Sequence, residues 1–235
     1  MFAIGQTVTP SKTDSEGRLK LFCALQLMQD CSEMWKDSEP AFQKLLLDNH
    51  AAQLLNFRQV EVLRVPQLGE QLTCRTSVYG VQGAFGYRNT AIYDEQEQPC
   101  YRCWCIGAFV SAESGRLVRT PPNVAERMKI EPPLPMEYGE RKVIPPADCA
   151  EQPMPPIPVQ RNDIDYNRHV NNAHYIRMAM ELLPEGFEPT NLRVEYKRPV
   201  ALGATIEPAI IPTPDAVWVL MRVAGTLCCA MEFRR

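Results

Sequence analysis

Along the chain, stretches in which apolar and polar residues alternate are interrupted by segments whose apolar residues recur three or four positions apart. Alternation marks a strand with one buried face, and the longer spacing marks an amphipathic helix. Helices are predicted over about Leu19–Trp35, with Leu21, Leu25, Met28 and Trp35 near one face, and over about Val170–Leu183, with Ala173, Ile176, Met180 and Leu183. Pro184 and Gly186 close the second. A short strand precedes each helix, at about Phe2–Val8 and about Ile157–Gln160, with an acidic turn in between. Consecutive strands follow: Leu54–Val65, Glu70–Tyr79, Phe85–Tyr93 and Tyr101–Ser111, then Leu192–Arg198, Ala204–Ile211, Val217–Val223 and Thr226–Phe233. Short turns between them favour antiparallel pairing. One helix followed by a run of strands predicts an α+β unit, a helix packed on one antiparallel sheet. An additional segment, Glu39–Gln53, reads as helical and lies between the first helix and its next strand.

The plan occurs twice. Val60–Gly69 aligns without gaps on Val194–Gly203, with Val, Glu, Arg, Leu and Gly identical. Upstream, Val8 through Asp14 to Leu25 runs parallel to Val159 through Asp165 to Ile176. Both matches fall in the same order, which points to a duplicated unit. Between the copies, eleven of the 21 prolines lie from Pro121 to Pro158. Proline removes a donor and disfavours helix before it, so this stretch reads as an extended connector with a short helix around Asn123–Lys129. The expected division is 1–120, a connector over 121–156, and 157–235.

Composition narrows the class. Hydrophobic residues make up 45% and charged residues 23% of the 235, enough to bury a core. No apolar run approaches the roughly 18 residues of a membrane span. The start, Met1–Gln6, reads as a strand and lacks a secretory or transit signal, so a cytoplasmic location is expected. A net charge of −3 without basic runs argues against nucleic-acid binding. The nine cysteines include Cys100, Cys103 and Cys105, but no second pair of matching spacing completes a zinc site. They read as small buried side chains, and no metal or cofactor is expected.

Polar chemistry concentrates in one segment, Asn162 to Tyr175, which carries two carboxylates, several amides and two histidines where the second helix opens. Asp165 and Asn167 are natural turn residues, which accounts for part of this density. The first N–H groups of the helix, around Val170, Asn171 and Asn172, lie at the positive end of its dipole and can stabilise the oxyanion of an attacked carbonyl. Asp165 or His169 can take a proton from water, and Asn167 can hold that water or the carbonyl oxygen. Asn171 and Asn172 also suit a helix start, and His174 and His50 are expected at the surface.

Asp165-Tyr166-Asn167-Arg168-His169-Val170-Asn171-Asn172 resembles the Asp-x-Asn-x-His-Val-Asn-Asn signature of the acyl-acyl carrier protein (acyl-ACP) thioesterases of plants and bacteria. The first half resembles the same family through Asp14–Leu19, Gly83–Arg88, Ile92–Glu95 and Val118–Pro121. The resemblance implies a tandem hotdog fold, a helix wrapped by a sheet in each copy. It also implies hydrolysis of acyl thioesters on acyl carrier protein, with Asp165, Asn167 and His169 catalytic. The first copy has Asp14, Glu16 and Arg18 at the parallel places, and is expected to shape the acyl pocket. The family's Glu, and the Cys that follows it in plants, fall here on Pro199 and Val200. That removes a cysteine nucleophile and leaves water attack. Arg64, Arg193, Lys197 and Arg198 are candidates to meet an acidic carrier, although strand-edge bases are usually solvated. An acyl-CoA thioesterase and a non-catalytic acyl-binding hotdog module are the alternatives. Acyl chain length and a homodimer are left open.

Overall fold

The computed structural model describes every residue except 122, 123, 125 and 127. It contains a mixed α/β chain, with antiparallel sheet and few helices, that divides into two compact units. The first comprises Met1–Asn56 with Val60–Tyr138, and the second Phe57–Gln59 with Gly139–Arg235. The proline-rich stretch is thus shared between them. The short helix expected around Asn123–Lys129 falls largely outside the described residues.

In the first unit, β1 (Phe2–Thr7) leads to α1 (Leu21–Asp37) and α2 (Pro40–Asp48). Then come β2 (Ala51–Val62), β3 (Gln71–Gln82), β4 (Phe85–Tyr93) and β5 (Pro99–Ser111). The strand order is β1-β3-β4-β5-β2. The pairs β1–β3, β3–β4 and β4–β5 are antiparallel, with register partners such as Ile4↔Cys74, Thr76↔Thr90 and Thr90↔Cys103. The helix α1 lies against β1, β3 and β4, burying Cys23, Ala24, Leu25, Leu27, Met28, Cys31 and Trp35. This stripe is wider than the four positions expected, because α2 and the sheet cover it from two sides. The additional segment is helical only to Asp48, and Ala51 already opens β2.

In the second unit, the expected connector contributes β6 (Gln152–Pro153), and the strand expected over about Ile157–Gln160 shrinks to β7 (Ile157–Pro158), both paired with β9. Proline cannot donate to a ladder, which limits such strands to short pieces. The helix α3 (Asn172–Met180) is followed by β8 (Asn191–Tyr196), β9 (Thr205–Pro212), β10 (Ala216–Val223) and β11 (Thr226–Arg234). Their order is β8-β11-β10-β9-β6. Along β8 exposure alternates, with Leu192, Val194 and Tyr196 buried, as period-two patterning requires. Tyr175 of α3 meets Tyr196 edge-on at 6.0 Å, and the Tyr196 hydroxyl donates to Asn172 O at 3.1 Å. These contacts seat the helix on β8.

The helix α3 is shorter than its apolar spacing suggests. At its start, Val170 and Asn171 spend their N–H groups outside the helix. At its end, Leu182 and Leu183 donate to Ala179 O and Met180 O in three-residue turns ahead of Pro184.

The last identity of the repeat has a backbone cause. Gly69 and Gly203 take φ of +91° and +86°, with open space where a Cβ would sit. Each turns the chain so that Val8 and Val159 accept a neighbouring β-type pairing, with Val8 N–H on Glu70 O and Val159 N–H on Ala204 O, both at 2.9 Å. Gly203→Ala is expected to cost about 1–2 kcal/mol from left-handed strain alone. Urea unfolding should show a lower midpoint with an unchanged slope.

Candidate active site

The polar segment folds as a tight strap. A 3-10 turn, Arg161–Asp163, is followed by an antiparallel bridge between Ile164 and Val170 that closes the five residues from Asp165 to His169. Asp165 N–H donates to His169 O at 3.0 Å and Arg168 N–H to Asp165 O at 2.9 Å. The Asn167 N–H reaches Asp165 Oδ1 at 2.9 Å. Arg168 takes the left-handed conformation, φ +64°.

The same strap exists in the first unit. Asp14 N–H donates to Arg18 O at 2.8 Å, Gly17 N–H to Asp14 O at 3.2 Å, and Glu16 N–H to Asp14 Oδ1 at 2.9 Å. Gly17, at φ +77°, stands where Arg168 stands. Leu19 N–H binds Pro66 O and Val170 N–H binds Val200 O, both at 2.8 Å. Pro66 and Val200 are paired by the gapless sequence match, so backbone and sequence repeat agree position by position.

The side chains differ. In the first strap the Arg18 guanidinium binds Asp14 Oδ2 at 3.0 Å and its N–H binds Oδ1 at 2.9 Å. Burial acts to raise the Asp14 pKa, but the Arg18 and Glu16 N–H groups and the guanidinium outweigh it and hold it below the usual value. In the second strap the residue at Arg18's place is His169. Asp165 Oδ2 then has no protein partner among the described residues. Asn167 and His169 have exposed side chains, and Asp165 is partly exposed. The three expected site residues therefore share one solvent-facing turn.

The helix start corrects part of the expectation for Val170 and Asn171. Val170 is buried and its N–H is taken by Val200 O; the Asn171 N–H is taken by Asp163 O at 2.8 Å. Neither amide is free for an oxyanion. Asn171 instead caps the helix, its Oδ1 accepting the Ala173 N–H at 2.9 Å. The Asn172 N–H, the first within the helix, has no acceptor among the described residues. It carries the positive end of the dipole toward the strap. Pro199 is exposed and Val200 buried, so neither offers a nucleophile or a base.

Asp163, His174 and Arg177 were not expected to act together. Asp163 is 4% exposed. Its Oδ2 accepts the Gln160 N–H at 2.9 Å, and its Oδ1 meets His174 Nδ1 at 3.1 Å and Arg177 Nη2 at 2.7 Å. Burial works to raise its pKa, but the Gln160 N–H, His174 and Arg177 together hold the carboxyl below its usual range. His174, expected at the surface, is largely covered by this contact. The cluster ties the entry of the strap to α3. Its only sequence signal is the spacing of His174 and Arg177, which puts both on one helix face.

Against this geometry stand the comparisons with known proteins. Residues 6–128 match the acyl-ACP thioesterase N-terminal domain, and residues 147–216 match the acyl-ACP thioesterase C-terminal domain. The chain belongs to the acyl-ACP thioesterase family. An acyl-ACP thioesterase from Bacteroides thetaiotaomicron is similar to it in fold, with a TM-score of 0.86 at 18% identity over 99% of this chain and 96% of that one. The 12:0-ACP thioesterase from Umbellularia californica gives a TM-score of 0.79 at 13% identity, covering 99% and 96%. No curated protein sequence matches the chain.

This acyl-ACP thioesterase is a thioester hydrolase of fatty acid biosynthesis, and its substrate is an acyl group carried on acyl carrier protein. Eight of its nine cysteines are buried and none is in a disulfide. Among the described residues, no helix is long and apolar enough to cross a membrane.

Proposed function

We propose that the thioesterase works through the second strap, on a tandem hotdog in which each unit's helix is wrapped by its own sheet. Asp165 takes a proton from a water molecule through Oδ2, and that water attacks the thioester carbonyl. The Asn172 N–H and the dipole of α3 offset the charge on the tetrahedral oxygen. Asn167 holds the water or the carbonyl oxygen. His169 donates a proton to the departing sulfur as the C–S bond breaks to give the free acid and the carrier thiol, and the Asp165 carboxyl returns the proton taken from water to the ring. Val170 and Asn171 frame this geometry by fixing the strap to Val200 and the cap to α3. A thiol near pKa ~8.5 is a better leaving group than an alcohol or amine, so this one donor suffices at neutral pH. No cofactor enters any step.

One observation carries the reading. The two straps share a backbone, yet only the second leaves a carboxylate oxygen unpaired next to a histidine. The division of labour follows: residues 157–235 carry the chemistry and 1–120 the acyl pocket. The substrate is tested by comparing thiol release from one acyl chain on acyl carrier protein and on coenzyme A. A higher kcat/KM on the carrier protein is expected, and an equal or higher value on coenzyme A would replace the substrate.

A further inference from the structure

Of the four basic residues that could meet the carrier, three are held by their own unit. Arg64 binds the two Glu70 oxygens at 2.9 and 2.7 Å and Asp94 Oδ2 at 2.9 Å. Arg193 binds Glu232 at 3.1 Å and Lys142 O at 2.6 Å, and Lys197 binds Glu195 at 2.7 Å. Arg198 is exposed, and its guanidinium has no protein partner among the described residues.

Arg198 is the repeat of Arg64, on the same backbone. Leu63 and Arg64 both donate to Cys100 O, at 2.9 and 3.1 Å, and Lys197 and Arg198 both donate to Cys228 O, at 2.8 and 3.1 Å. The turn that follows also repeats, with the Glu70 N–H on Gln67 O at 3.2 Å and the Ala204 N–H on Ala201 O at 3.3 Å. Its side chains do not. Ala204 stands where Glu70 does, and the short turn Ala224–Gly225 replaces the longer one that carries Asp94. The guanidinium fork is kept and both carboxylates are gone.

This place borders the strap. In the first unit Glu70 Oε1 also takes the Gln67 N–H at 2.7 Å, and Gln67 is bridged to Arg18, which stands where His169 does. The Leu68 N–H binds Gly17 O at 2.8 Å, closing the edge of that strap. In the second unit no backbone bond joins Ala201 or Leu202 to residues 165–169 among the described residues, so the edge is open. The charge changes with it. Matched places hold Asp14, Glu16 and Glu70 against Arg18 and Arg64 in the first unit, and Asp165 against Arg168 and Arg198 in the second. Acids outnumber bases at the first strap, and bases outnumber the acid at the second.

A free guanidinium fork in a positive surround suits an anion with several oxygens. The acyl group of the substrate hangs on an arm that joins the carrier through a phosphodiester, so each substrate molecule brings such an anion. We propose that Arg198 binds this phosphodiester at the open edge of the second strap and so directs the arm toward Asp165. The proposal rests on chemistry at that strap and names the part of the substrate held beside it.

Thiol release from decanoyl-pantetheine and decanoyl-4′-phosphopantetheine tests it, since the two differ only in the phosphate. The wild type is expected to favour the phosphorylated substrate about tenfold in kcat/KM, the gain falling on KM and shrinking with added salt. Arg198→Met should bring the two substrates level. Ala204→Glu should do the same with Arg198 in place, because it restores the carboxylate that occupies Arg64 in the first unit.

Equal use of the two substrates by the wild type, a comparison that needs no variant to fold, overturns the site. So does a preference that survives either substitution. A raised KM for decanoyl-ACP in Arg198→Met, without any phosphate preference on the small substrates, assigns Arg198 to carboxylates of the carrier and also overturns it. Asp165→Asn, measured alongside, separates the two readings: thiol release that survives this change while the Arg198 effect holds contradicts the strap chemistry and keeps the phosphate site.

Discussion

His169→Ala is expected to lower kcat/KM for thiol release from acyl-ACP by about 10²–10⁴-fold, the range for losing one proton-transfer group. Stability should hardly change, because the His169 side chain is exposed and has no protein partner among the described residues. An exposed site without contacts contributes within about 0.5 kcal/mol. Steady-state kinetics on acyl-ACP, with urea unfolding of the same preparations, gives both numbers. A small kinetic effect would remove His169 from the chemistry. A large loss of stability would mean that the ring is held by contacts the structure does not show.

Asp163→Ala should have the opposite profile, a large loss of stability first. The substitution leaves the Gln160 N–H unbonded and removes the partner of Arg177 and the largely covered His174. Breaking such a buried pair costs about 3–5 kcal/mol, and the low end applies because Arg177 can turn to water. The loss also has a pH signature. The folded carboxyl pKa is depressed, so its contribution is complete above the unfolded value of ~3.9 and fades as pH falls through the folded value. Wild type and variant should therefore differ most in urea midpoint at neutral pH and converge in acid. A constant gap across pH would mean that packing, not charge, holds the strap.

The sequence reading succeeded where structure is local. Strand ends such as Phe85–Tyr93 and the pairing of Pro66 with Val200 follow from period-two alternation and from the repeat. It fell short where a partner lies far along the chain. The N–H groups of Val170 and Asn171 look free in any helix start, and only the bends at 163 and 200 show that they are taken. Asp163 reads as one more turn residue until α3 brings His174 and Arg177 against it.

The most direct test sets matched substitutions in the two straps against each other. Single-turnover thiol release from acyl-ACP would be measured for Asp165→Asn and for Asp14→Asn. A fall of about 10²-fold or more is expected for Asp165→Asn, the ordinary cost of losing a general base, with Asp14→Asn remaining near the wild-type rate. Comparable rates for the two variants, or a greater loss at Asp14, would contradict chemistry at the second strap.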